Sequence, residues 1–228
     1  QRLLDAQNYR LTILQAGTGY GKSTALADLT TTSPYTWIWY HLDAEDIDPL
    51  RFLLHLISGF KNRLSYLSET PIALLEEWER NRNNPTWTAV IDSLVNELAA
   101  AENDPMFLIL DDTHHLQEAG QVLLILNRFI GRAPANLHLI LSSRYPLQLP
   151  NLVTWRIKGE LLEIRQHELT FTTAEVETLF REQYGFPLTS EQALTLTEKV
   201  EGWPITLRLV WQRLQSGSTL TQALGRLS

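Results

Sequence analysis

The sequence predicts an α/β domain with a mainly parallel sheet flanked by helices, followed by a small all-α domain. Three observations carry this. A short apolar, β-prone run, Leu11 to Ala16, enters a glycine-spaced loop and leaves it as a helix-like pattern through Leu29. Further apolar runs, at Met106–Leu110 and Leu137–Leu141, alternate with helical patterns, as strands covered on both sheet faces do. From Leu169 onward the pattern is helical only. We place the division at residues 1–166 and 167–228.

A chain of 228 residues can bury a core of its own and fits one or two domains. Its net charge of −7 argues against a dedicated nucleic-acid surface, which needs a basic patch. It has no cysteine, so disulfide and thiolate chemistry are excluded; this fits a reducing compartment, and a cytoplasmic protein is expected. No apolar run reaches the length of a membrane span and no signal sequence heads the chain, so no membrane partner is expected. The start at Gln1 and a single methionine, Met106, read as a fragment of a longer protein.

The chain is organised around Ala16-Gly17-Thr18-Gly19-Tyr20-Gly21-Lys22-Ser23-Thr24. Strand, glycine loop, helix is the order of a phosphate-binding loop. Glycines allow positive φ and close approach to an anion. Successive N–H groups then form a concave nest, and the following helix adds its positive N-terminal end. Lys22 would reach the β- and γ-phosphate oxygens, and the Ser23 hydroxyl would bind Mg²⁺. One position departs from the pattern: Ala16 stands where the motif begins with glycine, which is tolerable if its φ stays strand-like.

The remaining elements follow in order. Tyr35–Leu42, aromatic and β-branched, reads as a second strand. Asp43–Asp48 is acidic and loop-like; Asp48 then caps a helix with Pro49 at N1 and Leu50, Leu53, Leu54, Leu56, Ile57 and Phe60 on one face. Helices are expected around Ile72–Trp78 and over Thr86–Ala101, separated by a loop at Asn81–Pro85 and ended by Asn103–Pro105. Met106–Asp112 ends in two carboxylates. Alone, such an ending is often a strand meeting solvent; after a phosphate loop it reads as the Mg²⁺ strand. Asp111 would hold Mg²⁺, directly or through water, and Asp112 would orient or deprotonate the attacking water; their division of roles stays open. His114 and His115 point in different directions on any regular backbone and read as polar loop residues. A helix over Gln117–Gly131 precedes a strand at Asn136–Ser143 that ends in Arg144, placed to contact a γ-phosphate. Trp155–Ile164 reads as a last strand or hairpin. In the tail, Thr172–Glu175 and Thr189–Gln192 are capping boxes, and Gly202-Trp203-Pro204 is a C-cap glycine with a new helix starting at Pro204.

Together these stretches resemble the nucleotide-binding module of STAND ATPases, most closely the MalT-like regulators. The matching residues are the loop, Leu42-Asp43 with Asp48–Phe52, Leu108–Asp112, Ser142-Ser143-Arg144, Leu169–Thr172 and Glu201–Pro204. The resemblance implies a switch that holds ADP at rest, takes up ATP and self-associates when active, and hydrolyses slowly to reset. It also implies that Gly202, Trp203 and Pro204 lie against the nucleotide, Pro204 near adenine. Two other readings remain open: a partner-driven motor-type ATPase, and a scaffold that binds nucleotide without hydrolysis. A guanine-reading Asn-Lys-x-Asp motif is absent, which favours adenine.

Overall fold

The computed structural model describes residues 2–81, 87–100 and 104–225. The expected loop at 82–85 and the helix stop at Asn103 lie outside the described residues. Contacts divide the chain into two units: residues 1–15 with 23–164, and residues 16–22 with 165–228.

The first unit is built on a five-stranded, all-parallel sheet. Its strands are β1 (Leu11–Gln15), β2 (Thr36–His41), β3 (Met106–Asp111), β4 (Leu137–Ser143) and β5 (Leu161–Arg165), in the order β2-β3-β4-β1-β5. The register pairs Gln15 with Ser143 and His41 with Asp111, so these strands end at one edge of the sheet. Every residue of β3 is buried, which is why its apolar run is unbroken until Asp111.

Helices α2 (Pro49–Lys61), α3 (Thr70–Arg80), α4 (Trp87–Ala99) and α5 (Gly120–Arg132) bury their apolar stripes in one large core with the sheet. Asp48 caps α2, its carboxylate accepting the N–H groups of Leu50 and Arg51 at 2.8 and 3.1 Å. One expectation needs correcting. Residues 155–157, read as strand, belong to a short helix α6 (Leu152–Ile157), and only then does β5 begin. Trp155 is 4% exposed and its N–H donates to the Asn151 carbonyl, so burial of this ring outweighs the β-prone composition.

The second unit packs α7 (Thr173–Thr178), continued by a wide π turn at Leu179–Gln183, with α8 (Ser190–Val200), α9 (Pro204–Gln215) and α10 (Leu220–Leu224). Its core is Val176, Phe180, Leu196, Val200, Leu207, Val210 and Leu214. Reciprocal capping boxes start α7, α8 and α10, at Thr172 with Glu175, Thr189 with Gln192, and Thr219 with Gln222. The turn into α9 uses two left-handed residues, Glu201 (φ 51°) and Gly202 (φ 64°). A Cβ on Gly202 would stand 2.3 Å from the Phe171 carbonyl oxygen, so only glycine fits there.

Candidate functional site

Ala16 to Lys22 connects the end of β1 to α1 (Lys22–Thr32). Gly19 and Gly21 have φ of 79° and 74°, whereas Ala16 does not enter positive φ, so an alanine is accommodated there. The loop carbonyls are taken up one by one. Lys22 Nζ donates to the oxygens of Ala16 (2.8 Å) and Gly17 (3.0 Å). The Trp203 indole N–H donates to Thr18 O at 3.2 Å, and the Ile205 N–H to Gly19 O at 3.2 Å. Gly17 N–H donates to Gln166 Oε1 at 3.1 Å, and Gln166 Nε2 donates to the Tyr20 hydroxyl at 3.0 Å. With its carbonyls held, the loop presents the N–H groups of Thr18, Gly19, Tyr20 and Gly21, which have no acceptor among the described residues. That is the wiring of an anion nest.

Tyr20 and Trp203 stack with ring centres 5.7 Å apart. Trp203 is 38% exposed, and Pro204 opens α9, its Cγ 4.0 Å from where a Cβ on Gly21 would stand. Thr24 is exposed on α1.

In the sheet unit, the carboxyl ends of β2, β3 and β4 converge on two carboxylates. Asp111 is 2% exposed. It accepts the Ser23 hydroxyl on Oδ2 at 2.9 Å, the Ser142 hydroxyl on Oδ1, and the Asp112 N–H on Oδ1 at 3.1 Å. A buried carboxylate is tolerated because these donors replace water. Asp112 takes a left-handed backbone, φ 59° and ψ 39°. Around its carboxylate stand His114 Nδ1 (3.4 Å), His41 Nε2 (3.9 Å) and Arg144 Nε (4.0 Å). His41 Nδ1 is also 3.7 Å from Asp111 Oδ2.

The structure therefore brings Ser23, Asp111, Asp112 and Arg144 to one end of the sheet, and packs Trp203 on the loop. Sequence reasoning named Ser142 only as part of the Ser142-Ser143-Arg144 match, with no role of its own, and missed Gln166 and His41. Ser142 carried a signal: a hydroxyl directly after the apolar Leu139-Ile140-Leu141 of its strand. His41 becomes visible only once β2 is paired with β3, and Gln166 gave none.

Strand order, loop and flanking helices define a P-loop ATPase fold. Solved structures agree: the Walker-type ATPase of Pyrococcus abyssi superposes with a TM-score of 0.57 at 15% identity, over 99% of this chain and 68% of that one. Domain III of the Thermotoga maritima replication initiation protein DnaA does so with a TM-score of 0.50 at 15% identity, over 97% and 86%. In sequence, the chain is similar to part of the HTH-type transcriptional regulator MalT. It is 31% identical to that of Serratia proteamaculans over 100% of this chain, and 29% identical to that of Yersinia enterocolitica over 92%. It spans about a quarter of the length of these relatives, 24% and 22%. No family model matches the chain.

Proposed function

We propose that this chain is the ATP- and ADP-binding switch module of a regulator, holding ADP at rest, ATP when active, and hydrolysing slowly. The observation that carries the reading is the Ser23 hydroxyl 2.9 Å from Asp111 Oδ2, a pair drawn together from 88 residues apart. Ser23 follows Lys22 in the chain, so a metal held by this pair and a phosphate held by the loop are neighbours by covalent connection.

The roles follow from the chemistry of each group. The N–H groups from Thr18 to Gly21, with Gly17 shaping the turn, donate to the β-phosphate oxygens, and Lys22 exchanges its loop carbonyls for phosphate oxygens. Ser23 and Asp111 fit Mg²⁺, a hydroxyl and a carboxylate being a donor set this ion takes; when bound it neutralises charge on the β- and γ-phosphates. Asp112, with a side chain 20% exposed, holds a water and takes its proton. The water oxygen bonds to the γ-phosphorus, the bond to the bridging oxygen breaks, and ADP leaves with that electron pair. Arg144, with a side chain 40% exposed, offers positive charge to the γ-phosphate. Trp203 and Pro204 border the loop and couple the helical domain, proposed to span 167–228, to nucleotide state. ATP-bound copies self-associate; no direct nucleic-acid contact is assigned to this chain.

The test is to purify the chain natively, denature it and identify any released nucleotide by chromatography. Stoichiometric ADP is expected, and Lys22→Ala is expected to release none. Absence of ADP or ATP binding by the folded wild type overturns the reading. Turnover that survives Asp112→Ala unchanged removes Asp112 from the chemistry and leaves nucleotide binding standing.

A further inference from the structure

β4 is apolar at Leu137, Leu139, Ile140 and Leu141, yet Ser142 within it is fully buried at 0% exposure. A serine in that position loses its hydration and needs partners. It has them, and all lie at the last residue of β3 or in the two residues after it. Its hydroxyl donates to Asp111 Oδ1 and accepts the Asp112 N–H at 3.1 Å. Its carbonyl accepts the Thr113 hydroxyl at 2.7 Å. Three consecutive residues, Asp111, Asp112 and Thr113, are thus tied to one residue of the neighbouring strand.

We infer that Ser142 is a positioning residue for both carboxylates, acting through Asp111 on the metal and through Asp112 on the water; this rests on the nucleotide reading above. Because Ser142 engages Oδ1, Asp111 has Oδ2 directed at Ser23, a single oxygen suited to one coordination position. Because the same hydroxyl accepts the Asp112 N–H, it helps hold that residue in the left-handed conformation that sets its side chain among His41, His114 and Arg144. An apolar residue of similar size would leave the sheet intact while taking one donor from Asp111 Oδ1 and one acceptor from the Asp112 N–H.

The experiment uses the full chain and Mn²⁺, whose binding to the ADP complex is followed by electron paramagnetic resonance. Ser142→Ala is expected to weaken Mn²⁺ about tenfold while metal-free ADP affinity stays within about twofold. Ser142→Thr, which keeps the hydroxyl, restores Mn²⁺ affinity. Thr113→Val removes a hydroxyl that touches no carboxylate and is expected to lower the melting temperature without changing Mn²⁺ affinity. Unchanged Mn²⁺ affinity in Ser142→Ala overturns the inference, as does an equal weakening in Thr113→Val. A wild type that binds no ADP overturns the nucleotide reading itself, and this inference with it.

Discussion

Asp46, 1% exposed in the turn after β2, is held by the Tyr40 hydroxyl at 2.7 Å, the Asp43 N–H at 2.8 Å and Arg51 Nε at 3.2 Å. Arg51 also reaches Asp43 Oδ2 at 2.8 Å and pairs with Glu45. The acidic stretch that reads in sequence as a plain loop is therefore a knot around one buried carboxylate, and Arg51 in the first turn of α2 closes it. Burial, then the Asp46 hydrogen bond, push the Tyr40 hydroxyl well above the ordinary tyrosine range. The unfolded chain sheds that proton first, so stability from this site is full below about pH 10 and declines as pH rises further. Absorbance at 295 nm on raising the pH should show a tyrosine that ionises only as the protein unfolds. Tyr40→Phe should remove that component; its persistence would refute the assignment. The same substitution strips a donor from Asp46 and should cost about 1–3 kcal/mol in denaturant unfolding.

The elements were legible in proportion to their periodicity. α2 announced itself through Asp48, Pro49 and an apolar stripe of which Leu54 alone turns out well exposed, at 44%, and β3 through its unbroken apolar run. α6 did not, because six residues that include Val153, Thr154 and Ile157 have β propensity, and only the burial of Trp155 makes them helical. The carboxylates, the loop and Arg144 were readable as residue types. Their mutual distances were not, since those depend on the parallel register that sets His41 beside Asp111 and on a strand order that sequence does not state. Gly202 shows the difference between local and tertiary demands. A C-cap glycine was expected from sequence, but Glu201 already supplies one left-handed residue, and Gly202 is required by the Phe171 backbone pressed against it. Gly202→Ala should cost at least about 2 kcal/mol, more than its backbone conformation alone demands. Gly217→Ala, at φ 90° with open space around its Cβ position, should cost about 1 kcal/mol. Urea unfolding followed by tryptophan fluorescence measures both, and equal costs would remove the Phe171 contact from the account.

At the scale of the molecule, a ligand that binds only the folded chain stabilises it by mass action. Free ADP at one hundred times its dissociation constant should add about 2.7 kcal/mol, visible as a raised melting temperature. Lys22→Ala should abolish that rise; a rise that persists would place ADP outside the loop. The contact-defined units do not follow the order of the chain, which passes from the first at residue 15 into the second, returns at residue 23, and crosses again at residue 165. Anyone dissecting the protein inherits this path. A sheet domain expressed alone to residue 164 would carry every letter of the loop motif, yet would part it from Gln166, Trp203 and Ile205. The motif would survive the cut and its scaffolding would not, so an inert fragment of that length would say nothing against the intact chain.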